Sequence, residues 1–403
     1  MRKIYILIFL LAISAGIYAQ NNKTNSKYPF ANSAGKLLQT QGKLLIGGYG
    51  EVHYNQPLNS SIKYNGILDV HRLVLLFGYR FSKRLEFISE LEFEHVKEVF
   101  VEQAFMQYRI STAVNIRAGL LLVPMGIINE YHEPTAFNGV ERPLLDKYLI
   151  PSTWREIGLG IAGTYIPLSL RYQVYVINGF KSYDKGAFLL NGKYGFRKGR
   201  QKGAESFITN PDFTAKIEYF GIRGLNIGVS TLMGKTQSTL FNGLNTMDIN
   251  TKLRADSSVV GIQMLGMNFR FSRQGLQLRG QYYFSNVTNS SEYNLFADNQ
   301  GATGSLAKTM QGWYLEAGYN LFRLLPKANG RLIPFIRYSK LDTQQSVISP
   351  VIKNPDYNKT IITTGISWFL NKLLVVKSDF QFIKSKTNPN YSTTFNAGFG
   401  FMF

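Results

Sequence analysis

Sixteen strand-like stretches run from residue 43 to the last residue, and the links between them are short and long in turn. They span 43–54, 67–81, 84–95, 100–110, 114–123, 156–166, 168–179, 212–220, 224–234, 258–271, 275–285, 311–322, 331–341, 360–370, 372–384 and 393–403. In the eleventh, Leu276, Leu278, Gly280, Tyr282 and Phe284 fall on one face, and Gln277, Arg279, Gln281 and Tyr283 on the other, because successive strand side chains point opposite ways. Alternation alone fits a soluble sandwich as well as a barrel; the links separate the two. Those after the second, fourth, sixth, eighth, tenth and fourteenth stretches are tiny, such as "SK", "STA", "GIR" and "SRQ", whereas long ones cover 124–155, 180–211, 235–257, 286–310 and 342–359. Two links break the rhythm, the brief 96–99 and the longer "RLLPKANG". This is the pattern of an antiparallel transmembrane β-barrel with short periplasmic turns and long extracellular loops.

After residue 20 no apolar run approaches the roughly 18 residues of a spanning helix. A chain that crosses a membrane without one does so as a closed barrel, which leaves no backbone group unpaired in lipid. Composition agrees: aromatics make up 14% and charged residues only 17%, with 37 Gly, a mixture of strand and turn formers. Aromatics such as Tyr79, Phe81, Phe269, Phe271, Trp368 and Phe369 sit at strand ends, where interfacial girdles belong.

Residues 1–19 read as a signal peptide, with Arg2 and Lys3 ahead of an apolar run and cleavage after Ala19. Residues 20–42 read as a flexible lead-in, and 43–403 as the barrel. The absence of cysteine excludes disulfides, thiolate metal sites and a thiol nucleophile. The net charge of +20 suits nucleic acid, an anionic membrane surface or passing anions, and export argues against nucleic acid. The last strand carries Phe395, Phe399, Phe401 and terminal Phe403 on one face, a signal suited to the barrel-assembly machinery.

With the strands placed, "GYGEVHY", "DVHRLVLLFGYRFSKRLEFISELEFEH", "VEQAF", "RAGLLLVPMGIINEYHEPTAFNGVERP" and "IPSTWREIGLGI" resemble the phosphate-selective porin O and P family in its Bacteroidota-type branch. The resemblance is concentrated between residues 47 and 165. It implies a sixteen-stranded outer-membrane barrel, a homotrimer, and passive diffusion of small polar solutes, anions such as phosphate among them, through a water-filled channel.

The inward rows carry Arg72, Arg80, Arg117, Arg171, Lys216, Arg270, Arg279, Arg337 and Lys377, residues that replace part of an anion's hydration shell. Glu51, Glu86, Glu90, Glu92, Glu94, Glu156, Asp212, Glu218, Glu316 and Asp379 share those rows, so the wall is mixed. The long link 124–155 has prolines at 124, 134, 143 and 151, which forbid ladder pairing. It reads as a loop folded inward to narrow the channel, with Glu130, His132, Glu133, Glu141, Arg142, Asp146, Lys147 and Arg155 facing the wall cations. A surface cap is the alternative. The next long link holds Lys181, Lys185, Lys193, Arg197, Lys198, Arg200 and Lys202, a funnel for anions or a face against lipopolysaccharide and lipid.

His53, His71, His95 and His132 lie near the extracellular rim beside carboxylates; ordinary rim polarity and a divalent-cation site are both open, and no metal or cofactor is expected from their spacing. No GxSxG or Gly-rich phosphate loop occurs, so no catalytic residue is expected. A barrel-embedded hydrolase, with Ser, His and acidic groups meeting at the mouth, and a non-conducting structural or adhesive barrel remain the alternatives to a porin.

Overall fold

The computed structural model describes residues 32–403 except 39, 41, 59, 60 and 326; the expected signal peptide lies outside the described residues. Sixteen antiparallel strands close into one barrel. In chain order they are β1 (Leu44–Leu58), β2 (Ile67–Arg80), β3 (Leu85–Glu94), β4 (Glu98–Arg109), β5 (Asn115–Leu122), β6 (Arg155–Tyr165), β7 (Leu170–Ile177) and β8 (Asp212–Tyr219). The second half continues with β9 (Leu225–Lys235), β10 (Gly261–Arg273), β11 (Leu276–Thr288), β12 (Thr309–Tyr319), β13 (Arg331–Ser346), β14 (Asn358–Phe369), β15 (Leu374–Ser385) and β16 (Ser392–Met402). Every strand pairs with its sequence neighbours, and β1 closes the ring on β16 from Tyr49↔Met402 to Leu58↔Thr393. Phe403 completes the seam, donating its N–H to Gly48 O at 3.0 Å and accepting from Gly48 N at 3.1 Å.

Burial follows the barrel's inverted logic. On β6, Ile157, Leu159 and Ile161 are exposed while Glu156 between β5 and β7 is fully buried. The apolar row therefore faces lipid and the polar row the bore. A ring of sixteen strands is wide enough to leave an aqueous bore unless something fills it.

Two irregularities in register matter later. Glu51 pairs with Arg72 and Val52 with Val70, so His71 has no partner on β1. Likewise Glu90 pairs with Gln103 and Leu91 with Val101, so Glu102 has none on β3. Each is a bulge, and a bulge re-aims a side chain by breaking the period of two. At the second one, consecutive residues Glu102 and Gln103 are both buried, where a regular strand would send one of them to lipid.

The structure adds elements to the stretches between and before the strands. Residues Ser33–Leu37, inside the expected lead-in, form a short helix with Ala34 and Leu37 buried. Arg80 donates to the carbonyls of Leu38, Thr40 and Gly42 at 2.6 to 2.9 Å and so ties this segment to β2. At the long-loop end, Lys181–Asp184, Ala187–Phe188 and Gln237–Ser238 form a small three-stranded sheet. Two helices, Ile249–Ser257 and Ser290–Asn299, lie in the loops before β10 and β12.

The assignment of faces predicts the outcome of a single charge. Leu159, mid-strand and 61% exposed, should cost about 2–4 kcal/mol when changed to Arg, as a cation does near the bilayer midplane. Equilibrium unfolding in phospholipid vesicles measures this, and a cost near zero would place Leu159 away from lipid.

Candidate functional site

The link between β5 and β6, residues 123–154, folds into the bore. Its apolar residues Val123, Met125, Ile127, Ile128, Tyr131, Phe137, Leu145, Leu149, Ile150 and Trp154 are buried, an arrangement a surface cap would not produce. A loop inside a polar bore needs partners for its backbone groups, and beside the loop's own bonds the inward rows supply them at several strands.

Two guanidiniums act in the same way at different places on the wall. Arg72 on β2 donates Nε to Glu51 Oε1 of β1 at 2.5 Å and Nη2 to the backbone carbonyl of His132. Arg337 on β13 donates Nε to Glu316 Oε2 of β12 at 2.7 Å and Nη2 to the carbonyl of Asn138 at 2.7 Å. Each is charge-neutralised by a glutamate on the preceding strand, leaving a second donor for the loop backbone; hydrogen bonds to a charged donor are the strong ones.

Side chains of the loop complete the attachment. Glu130 pairs with Lys216 of β8 and accepts from Gln173 Nε2 of β7 at 2.5 Å. Burial alone would raise the Glu130 carboxyl, but Lys216 and then Arg171 outweigh it and hold it down at about 2. Tyr131 Oη accepts from Arg171 and its ring lies 3.9 Å below the Arg270 guanidinium. His132 places Nε2 3.1 Å from Glu102 and 3.6 Å from Glu90, so the bulge in β4 supplies a carboxylate that a regular strand could not. Burial pulls the His132 imidazole down, yet Glu102 and Glu90 together hold it up at about 10, and it is a cation at neutral pH. Glu133 meets Lys36 of the short N-terminal helix at 3.1 Å. Glu141 lies 3.2 Å from His53 Nδ1 and accepts from Asn55 at 3.0 Å. Asp146 accepts from Gln281 Nε2 at 3.1 and 3.0 Å; burial, opposed by that bond and the distant arginines, pushes its carboxyl up to about 7.

The nine wall cations all lie on inward rows, and most are matched by wall carboxylates. Arg80 pairs with Glu86 at 2.9 Å, Arg279 with Glu316 at 3.0 Å, and Arg171 and Arg270 both with Glu218. Arg117 donates to Gln107 at 2.8 Å, and Lys377 sits 3.8 Å from the ring of Phe137. Glu130 is the loop carboxylate that joins one of the nine directly, through Lys216.

The remaining loop cations gather elsewhere. Arg142, Lys147 and Arg155 line a cavity of about 250 Å³ together with Arg197, Arg200 and Lys202 from the link before β8. None of the six has a carboxylate within 4.0 Å among the described residues. Arg200 bridges the two loops, its Nη1 donating to the carbonyls of Pro151, Ser152 and Thr153 at 3.1 to 3.3 Å, and Trp154 stacks on Phe180 at 4.3 Å. Burial, then Arg197 and Arg155, pushes Arg200 down to about 9; burial, then Arg200 and Arg155, pushes Lys202 down to about 8. The Nε groups of Arg142 and Arg155 are buried with no hydrogen-bond acceptor among the described residues, and such groups ordinarily find one. Glu51, His53, His71, Glu92, Glu94 and Glu141 line the same cavity.

A closed sixteen-stranded barrel with a polar interior and one of its own loops held inside it is a channel of the outer membrane. The chain belongs to the family described as phosphate-selective porin O and P, whose model matches residues 59–397. A protein of Aquifex aeolicus (strain VF5), described as uncharacterized, is 32% identical over 361 residues, 86% of this chain and 77% of that protein. Two solved structures share the fold at 12% identity. OmpF of Salmonella typhi, in complex with daunomycin, superposes with a TM-score of 0.57 over 89% of this chain and 97% of that one. The anion-selective porin of Comamonas acidovorans superposes at 0.55 over 89% and 99%. Family and fold point to a porin channel rather than an enzyme.

The raised carboxyl of Asp146 gives a pH signature. The folded chain keeps a proton there that an unfolded chain releases near its ordinary value of 3.8. Stability from this group is therefore full at low pH and is lost as pH rises toward and through about 7. Asp146→Asn removes that dependence while keeping a hydrogen-bond acceptor for Gln281. The stability of Asp146→Asn relative to the parent should rise between pH 5 and pH 8 in denaturant unfolding; a difference that stays constant would show that Asp146 is ionised in the fold.

Proposed function

We propose that the pore favours small anions, oxyanions such as phosphate among them, and that residues 123–154 form its constriction. The observation carrying this reading is the set of six cations around the 250 Å³ cavity, drawn from two loops and the first residue of β6 and lacking carboxylate partners among the described residues. Wall cations tied to Glu51, Glu218 and Glu316 add little net field, whereas Arg142, Lys147, Arg155, Arg197, Arg200 and Lys202 repel one another and gain from an anion between them. Two of them also offer buried N–H donors that have no acceptor among the described residues. Glu51, Glu92, Glu94 and Glu141 in the same lining moderate the field, so selectivity is weak rather than absolute. The fold neighbour from Comamonas acidovorans, described as an anion-selective porin, supports the same direction.

The finer partners follow from the same reading. Phe403, exposed and at the seam of β1 and β16, is the handle for the barrel-assembly machinery; the remaining basic residues of the link before β8 meet acidic lipopolysaccharide; and family likeness favours a homotrimer. The chain carries no catalytic role in this account.

Reversal potential in a planar bilayer under a potassium chloride gradient tests the sign. Anions should pass better than potassium in the parent, and Arg142→Glu combined with Lys202→Glu should move the potential toward cation preference. A cation-selective parent, or a potential untouched by the double reversal, contradicts the proposal.

A further inference from the structure

At the same end of the barrel, Asp69, His71 and His95 bring together three ligand atoms that all lie within 4.8 Å of one another. Asp69 Oδ2 is 2.6 Å from His95 Nδ1 and 3.5 Å from His71 Nδ1. Three ligands on a tetrahedral zinc ion stand about 3.3 Å apart, given metal–ligand bonds of roughly 2.0–2.2 Å. The two distances bracket that value, and the half-exposed His95 ring can make the small outward shift required.

Local structure holds the three donors toward one point. His71 is the extra residue of the bulge in β2, which turns its ring inward to stack on His53 at 4.5 Å with the planes 12° apart. His95 heads the tight turn from β3 to β4 with φ of 54°, followed by Val96 at 67°, and its N–H donates to the carbonyl of His71 at 3.2 Å. Left-handed backbone at two successive non-glycine residues is costly, and here it delivers an imidazole beside another one. Glu94 Oε1 lies 3.8 Å from His95 Nε2, the place of the outer carboxylate that commonly orients a metal-bound imidazole.

We propose that Asp69, His71 and His95 bind one divalent transition-metal ion of the zinc class at the extracellular rim of the pore. Two imidazoles and one carboxylate suit zinc, nickel or copper and not calcium or magnesium, which take oxygen ligands. Three protein ligands leave a fourth position for water or a passing solute. His71 and Glu94 also line the cavity, so the ion sits beside it and adds positive charge to its lining. Metal binding stands independently of the anion reading; an effect of the ion on current rests on it.

Chelator-treated full-length protein in detergent, titrated with zinc chloride by calorimetry, tests the site. One ion per chain is expected, undisturbed by excess calcium. His95→Ala and Asp69→Asn should each weaken binding by at least about ten-fold, since loss of even an outer partner costs that much. His95→Ala should keep the metal-free single-channel conductance of the parent, which verifies that the barrel is intact. No zinc bound by the parent, or binding unchanged in both variants, overturns the proposal whatever the ion selectivity proves to be. Displacement by calcium at similar concentration overturns it as well.

Discussion

The fold of the bore depends on one kind of contact, a buried arginine shared between a wall glutamate and a loop carbonyl. Arg72 makes it with Glu51 and His132, and Arg337 with Glu316 and Asn138. Burying a guanidinium is expensive unless its charge is paired and its donors are used. The neighbouring glutamate meets the first need and the loop backbone the second. Neither wall nor loop is satisfied alone: without residues 123–154 Arg72 Nη2 loses the His132 carbonyl and Arg337 Nη2 is left with Glu316 only, and without the arginines two loop carbonyls lose their donors.

This division of labour separates structural charge from functional charge. Most inward cations of the wall are consumed in holding the barrel and the loop together, through Glu51, Glu86, Glu218 and Glu316. The cations lining the cavity come from two loops, which touch through Arg200 and through the Trp154–Phe180 stack, and from Arg155 at the start of β6. Beside them, a bulge in β2 and a tight turn after β3 present His71 and His95 together.

The barrel was legible in the sequence because lipid imposes it locally. Outward positions of each strand must be apolar and their neighbours polar, so rows such as Leu276, Leu278 and Tyr282 declare themselves within ten residues, and the alternation of link lengths supplies the topology. All sixteen stretches correspond to strands, with differences at the ends such as β13 continuing to Ser346. The presence of charged groups on the inward rows was legible for the same reason. Their partners were not. Arg72 meets His132 across 60 residues, Arg337 meets Asn138 across 199, and Val140 donates to Asp379 across 239; periodicity carries no information about such pairs. The bulges at His71 and Glu102 break the very period on which the reading relies. Arg142 and Lys147 could be assigned to one loop and Arg197, Arg200 and Lys202 to the next, but only the folded chain brings the two sets to one cavity.

The central claim is that solutes pass the basic rim of the inward loop, and the lack of native cysteine makes a direct measurement available. Lys147 is exposed on that rim, so Lys147→Cys offers a single thiol. Single-channel current recorded while a negatively charged, membrane-impermeant thiol reagent is added from the loop side should fall in a discrete step and lose anion preference. Unchanged current after modification has been verified by mass would place the conducting path away from the loop and contradict the account.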